Sequence, residues 1–186
     1  MALKRGNEIP TIDVAMVTIK QGETEIALDT ASKIAVSPET EVTDAVKLII
    51  KGVLKAQKRA VTTLTGNAIT LTDNVFNPEV VKILQGGTIT YDTSDTTKVI
   101  KYTPPVAGAV NEVDPFELVA YSAVYDEAGI LQEYEKVTYP NCKGEPIALT
   151  SEDNVFRVNE YTISSAPSEG QAPYTIEYVD ALPVIS

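Results

Sequence analysis

The chain contains no histidine, no tryptophan and a single cysteine, Cys142, among its 186 residues. Without histidine there is no Ser-His-Asp or Cys-His catalysis, no His-ligated zinc and no ordinary switch near neutral pH. One cysteine excludes internal disulfides and thiolate metal clusters and leaves the redox compartment open. No apolar run approaches the ~20 residues needed to span a bilayer as a helix. The opening Met-Ala-Leu-Lys-Arg-Gly-Asn-Glu has no hydrophobic signal core. These features predict a soluble protein that starts in the cytoplasm. A chain of this length can bury roughly 70% of its unfolded surface, so it needs neither disulfide nor metal to fold.

Basic residues are also scarce, 15 against 26 acidic ones, for a net charge of −11. The imbalance is local. Residues 1–60 carry nine Lys/Arg and eight Asp/Glu, whereas residues 61–186 carry six and eighteen, a net of −12. Such a surface repels phosphate and anionic lipid, which argues against specific nucleic-acid binding and membrane attachment. Leucine is sparse as well: 11 residues against 21 Val, 16 Ile and 21 Thr. β-Branched side chains are stiff at χ1 and suit a pleated surface, so the expected class is mainly β.

Residues 1–10 read as a flexible arm and 11–186 as one domain. Ile12–Lys20 is strand-like, followed by a turn at Gln21-Gly22-Glu23, with short extended pieces at Glu25–Leu28 and Lys33–Val36. Ser37–Glu41 reads as a loop. Asp44–Arg59 fits two templates. Lys47, Lys51, Lys55 and Lys58 recur at helical spacing, but a central Gly52 costs a helix about 1 kcal/mol, and Ile49-Ile50 favours a strand. The strand reading puts the lysines on a solvated or subunit-facing side. Gly66-Asn67 reads as a two-residue hairpin turn between Val61–Thr65 and Ala68–Thr72.

The clearest local signal is a helix over residues 78–85. Asn77 is its N-cap, Pro78 its first residue, Phe76 its staple onto Val81, and Gly86 its stop. Strands at Thr88–Tyr91 and Lys98–Tyr102 follow, then a loop over Pro104–Asp114. A long hairpin occupies 116–139, turning at Asp126–Gly129. Pro140–Glu152 reads as irregular, and strands at Val155–Ser164 and Tyr174–Val179 end the chain. All nine Tyr and three Phe lie after residue 75, which places the heaviest packing there. Asp-Asn-Val-Phe occurs at 73–76 and again at 153–156, leading into a helix and then a strand, and reads as coincidence.

Carboxylates are the only candidate catalytic material. Glu133/Glu135 on the hairpin, Asp92/Asp95, and Glu112/Asp114/Glu117 form loose groups that read as solvated acidic faces. Asp92–Asp95 lacks the spaced carboxylates, glycine and terminal Glu of an EF-hand loop. Cys142, with no histidine partner, reads as a buried, inert thiol. The sequence therefore predicts no catalytic, cofactor-binding or metal-binding residue.

Leu64-Thr65-Gly66-Asn67-Ala68-Ile69-Thr70-Leu71-Thr72-Asp73-Asn74-Val75-Phe76 leads into a short helix ending Leu84-Gln85-Gly86-Gly87. Later come Val155-Phe156-Arg157-Val158-Asn159-Glu160-Tyr161-Thr162-Ile163 and a last Tyr-rich strand. In this order of elements the chain resembles the tail tube (major tail) proteins of tailed bacteriophages and prophage-like elements, over most of residues 30–186. The resemblance implies two packed antiparallel sheets, a β-sandwich or partly open barrel, with a flanking helix. It further implies hexameric rings that stack through an extended N-terminal arm or loop into a virion tail tube, assembled from the host cytoplasm. Tape-measure and terminator proteins would be partners, and DNA would pass only transiently. The hairpin would line the channel or join subunits, with Glu117, Glu133 and Glu135 as the residues concerned. An anionic bore suits a tube that must pass DNA without holding it. A monomeric β-sandwich adhesion or carbohydrate-binding module is the competing expectation; the missing Trp and export signal count against it.

Overall fold

The structure is a computed structural model that describes residues 9–108 and 113–185. The arm expected over 1–10 therefore lies outside the described residues except for Ile9 and Pro10, as does Glu112. The chain is mainly β, about 55% strand and 5% helix among the described residues. Its strands are β1 (Thr11–Gln21), β2 (Thr24–Leu28), β3 (Ala31–Val42), β4 (Val46–Ile50), β5 (Val53–Lys58) and β6 (Thr62–Asp73). After helix α1 (Pro78–Gln85) come β7 (Thr88–Tyr91), β8 (Val99–Thr103), β9 (Phe116–Tyr125), β10 (Leu131–Gly144), β11 (Asn159–Ser165) and β12 (Thr175–Val179).

Seven strands form one antiparallel sheet in the order β2-β1-β9-β10-β11-β6-β3, and β12 joins β10. The sheet curls until β3 comes back beside β1, without closing a barrel. The long hairpin lies within the sheet, not at its border. β1 pairs with β9 along the outer side. The other side of β10 is shared: β12 takes Tyr134–Thr138 and β11 takes Cys142–Gly144. A bulge between Tyr139 and Cys142, with Asn141 at φ 51°, makes that change of partner possible.

α1 plugs the concave face. Asn77 Oδ1 accepts from the Glu79 and Val80 amides at 2.9 and 3.4 Å, and Gly86, at φ 78°, donates its N–H to the Lys82 carbonyl at 2.8 Å. Two turns of helix are marginal alone. Burial of Val80, Val81, Ile83 and Leu84 against Leu71, Tyr161 and their neighbours in the sheet core stabilises this one. Gly144 is where the helix sits closest: a Cβ there would lie 2.6 Å from the Leu84 Cβ. Gln85 fixes the helix end, donating to the Tyr102 hydroxyl and accepting from the Ile147 amide, both at 2.9 Å.

Several local expectations are corrected. Gly66-Asn67 is not a turn, because β6 runs straight through it between β3 and β11. A bulge opposite Glu39 and Thr40 absorbs one extra residue there, and Asn67 is buried with its amide donating to the Pro173 carbonyl at 2.9 Å. Ser37–Glu41 is strand, not loop; Pro38 is tolerated because β3 is an edge strand. Gly52 is a turn residue, not the middle of one strand. Lys51 and Gly52 both take positive φ, 49° and 77°, and connect β4 to β5 in a two-residue hairpin. Pro140–Gly144 continues β10, and the late strand starts at Asn159 instead of Val155.

Candidate functional site

β3 and β6 outrun the sheet. Beyond Gly66 they continue as a two-stranded ribbon, handed on through Thr43 and Val61 (Thr43 N–H to Val61 carbonyl, 2.9 Å) to the β4–β5 hairpin. Every residue from 35 to 65 is exposed. Yet the tip is aliphatic: Val46, Leu48, Ile49, Ile50, Val53 and Leu54 are 47–64% exposed. Register places Val46, Leu48, Ile50 and Val53 on one face and Ile49 and Leu54 on the other, so both faces are apolar. Interspersed are Lys47, Lys51, Lys55, Lys58 and Arg59, with no carboxylate between 45 and 60. A two-stranded ribbon is marginal by itself in water, and contiguous apolar surface outside a core marks an interaction site.

At the far end of β6 lies a second apolar surface. The segment after β10 returns to β11 through a shallow cavity of about 160 Å³ lined by Glu152, Val155, Phe156 and Val158 among others. Phe156 is 95% exposed. The one cation of residues 145–160, Arg157, also lines this hollow, but its guanidinium is drawn back onto the body. Its guanidinium carbon sits 4.4 Å from the centroid of the Phe76 ring, its Nε donates to Asn159 Oδ1 at 3.0 Å, and its Nη2 is buried. Glu145, Glu152, Asp153 and Glu160 are left to set the charge of that surface. The repeated Asp-Asn-Val-Phe is thus used in two opposite ways. Phe76 packs on the core and receives the cation, while Phe156 faces solvent.

The three hairpin carboxylates divide. Glu117 pairs across to Lys20 on the face that carries Val119, Tyr121 and the Lys136–Glu177 ion pair at 2.7 Å. Glu133 and Glu135 pair with Val124 and Ser122 on the opposite face. There Tyr178 donates to Glu135 Oε2 at 3.3 Å, and its phenol is raised by desolvation and by that carboxylate. The three carboxylates therefore do not share one face of the sheet.

Other acidic groups serve local geometry. Asp92 accepts from the Ser94 amide and hydroxyl, and Asp95 from the Thr97 hydroxyl and amide, and these bonds lower both carboxyls. Cys142 is fully buried, its thiol faces the Tyr139 carbonyl at 3.3 Å, and burial pushes it up to about 12. A thiolate nucleophile is not available there at neutral pH. A cavity of about 390 Å³ between β2, α1 and β7 contains Glu79, but the Tyr91 hydroxyl already donates to that carboxylate at 2.9 Å. None of these sites pairs a nucleophile with a base.

The aliphatic tip was legible only as a strand with a lysine row, because its exposure depends on where the turn falls. Phe156 left no signal, since Val155, Phe156 and Val158 are strand-prone residues that a sheet would be expected to cover.

No protein-family model matches the sequence, and no curated protein matches it significantly. Solved structures overlap nearly its full length. One is a chain of the sheath-tube complex of an extracellular contractile injection system in its extended state, at 14% identity and TM-score 0.44, covering 92% of this chain and 93% of that one. Another belongs to the tube-terminating cap of the anti-feeding prophage, at 13% identity and TM-score 0.39, covering 95% of each. A third belongs to the baseplate of the anti-feeding prophage, at 8% identity and TM-score 0.34, covering 96% and 98%.

Proposed function

We propose that this chain is a non-enzymatic structural subunit, a single domain over residues 11–186, whose copies join into rings that stack as a phage-type tail tube. The observation that carries the reading is the ribbon of residues 35–65, exposed throughout and aliphatic at its tip. Covering six half-exposed aliphatic side chains gains roughly 6 kcal/mol. That sum lies near the low end of the ~4–15 kcal/mol cost of association. One ribbon contact therefore makes a weak pair, and a lattice in which each copy both gives and receives such contacts makes a stable one. The net −12 of residues 61–186 supports a wall that passes DNA without retaining it. In this reading the ring is hexameric, tape-measure and terminator proteins are its partners, and the subunit moves from host cytoplasm to virion tail.

Sedimentation velocity with negative-stain microscopy over a wide concentration range tests it. Rings or tubes should appear above a threshold concentration, and the paired substitution Leu48→Asp with Ile50→Asp should abolish them while leaving the melting curve in place. A monomer at every concentration, above all one with measurable glycan affinity, would overturn the reading in favour of an adhesion or carbohydrate-binding module.

A further inference from the structure

Resting on that reading, we infer that the ribbon tip of one copy seats in the Val155–Val158 hollow of a second copy, head to tail along β6. Tip and hollow are chemically complementary. The tip offers aliphatic side chains among five cations and no carboxylate, and the hollow offers Val155, Phe156 and Val158 beside Glu152 and Asp153. Arg157 also lines the hollow, but its guanidinium is engaged by the Phe76 ring and Asn159, and Glu152 and Asp153 leave the hollow net negative.

Their placement also suits a contact between copies. β6 enters from the ribbon at Thr62 and ends at Asp73, which pairs with Asn159, the residue next to Val158. Its 12 residues span roughly 40 Å. Tip and hollow thus lie at opposite poles of one strand, and a copy cannot fill its own hollow. A contact between unlike surfaces at opposite poles is heterologous, and it propagates instead of closing on a two-fold dimer. Phe156 is 95% exposed, whereas every aromatic of the core is sealed. A solitary aromatic in a shallow cavity is the kind of anchor that dominates an interface.

Replacing Leu54 and Val155 together by cysteine tests the inference, because both positions are exposed and the native Cys142 is buried. A short bis-maleimide added to the assembled double variant should give a ladder of covalent dimers, trimers and longer chains, while Leu54→Cys alone stops at dimers or below. Phe156→Asp should remove the ladder and raise the threshold for assembly about 30-fold, the loss of one aromatic anchor. A double variant that assembles normally but gives no ladder would overturn this docking and leave the proposed function standing. Wild-type protein that never assembles would overturn both.

Discussion

β3 and β6 form one antiparallel pair whose two ends have different fates. Toward Asp73, Ile69 and Leu71 are buried to 1% or less between β11, β3 and the helix. Beyond Gly66 the same two strands, with Val61 leading into β6, carry Val42, Val61 and Leu64 into solvent at 39–60% exposure. Apolar content alone does not separate the two halves: the ribbon half is more polar over Ser37–Glu41, yet its Val42, Val61 and Leu64 are as apolar as the residues sealed in the other half. What separates them is supply: among the described residues, strands and a helix cover one half and nothing covers the other. Stability should therefore reside in the body, and association in the ribbon.

Leu84→Ala should strike the body hardest. It empties a fully buried site under Gly144, and the unfolding free energy from denaturant titration should fall by about 2–5 kcal/mol. Gly66→Ala tests the junction. A Cβ there would press into the Ser165 carbonyl, so the β6–β11 ladder must shift, at a cost of about 1–3 kcal/mol in the same titration. No change would mean that the two regions are less tightly joined than the bulge implies.

Alkaline pH separates the regions without mutation. Burial holds the Cys142 thiol and the Tyr139 and Tyr161 phenols to about 12, against ordinary values of 9.0 and 10.0. Between those values the unfolded chain releases protons that the native chain keeps. Stability is thus complete below pH 9 and falls as pH rises toward 12, by about 1 kcal/mol from pH 9 to 10 through Cys142 alone, with the tyrosines adding above pH 10. Midpoints of urea unfolding across pH 7–11 check the slope, and a flat profile would contradict the sealed core. Leu48→Ser, at the ribbon, should move the monomer's unfolding free energy by less than about 0.5 kcal/mol, while assembly weakens. A large stability loss there would erase the contrast.

The sequence disclosed what is locally determined. The helix was legible because Asn77, Pro78 and Gly86 carry their own stereochemistry, and the two hairpins β1–β2 and β9–β10 because their turns are short and their strands alternate. The misreadings share a cause. Gly66-Asn67 has turn chemistry, but pairing with β3 and β11, distant in sequence, outweighs it. Gly52 reads equally well as mid-strand or turn until Ile50 and Val53 are seen to pair. Val155–Val158 is rich in strand-prone residues, but Arg157 is drawn to Phe76, some eighty residues earlier, and the strand starts only at Asn159. Of the candidate site, the lysines were visible and the exposed aliphatics were not, since accessibility belongs to the whole fold.

The unbroken course of β6 has a mechanical consequence. A pull applied between the Lys51-Gly52 tip and the Phe156 end would travel along that strand, gripped on one side by β3 and on the other by β11. Antiparallel hydrogen bonds lie perpendicular to their strands, so such a load shears both ladders at once instead of unzipping them one rung at a time. The molecule is braced along the direction in which a stack of copies would be stretched.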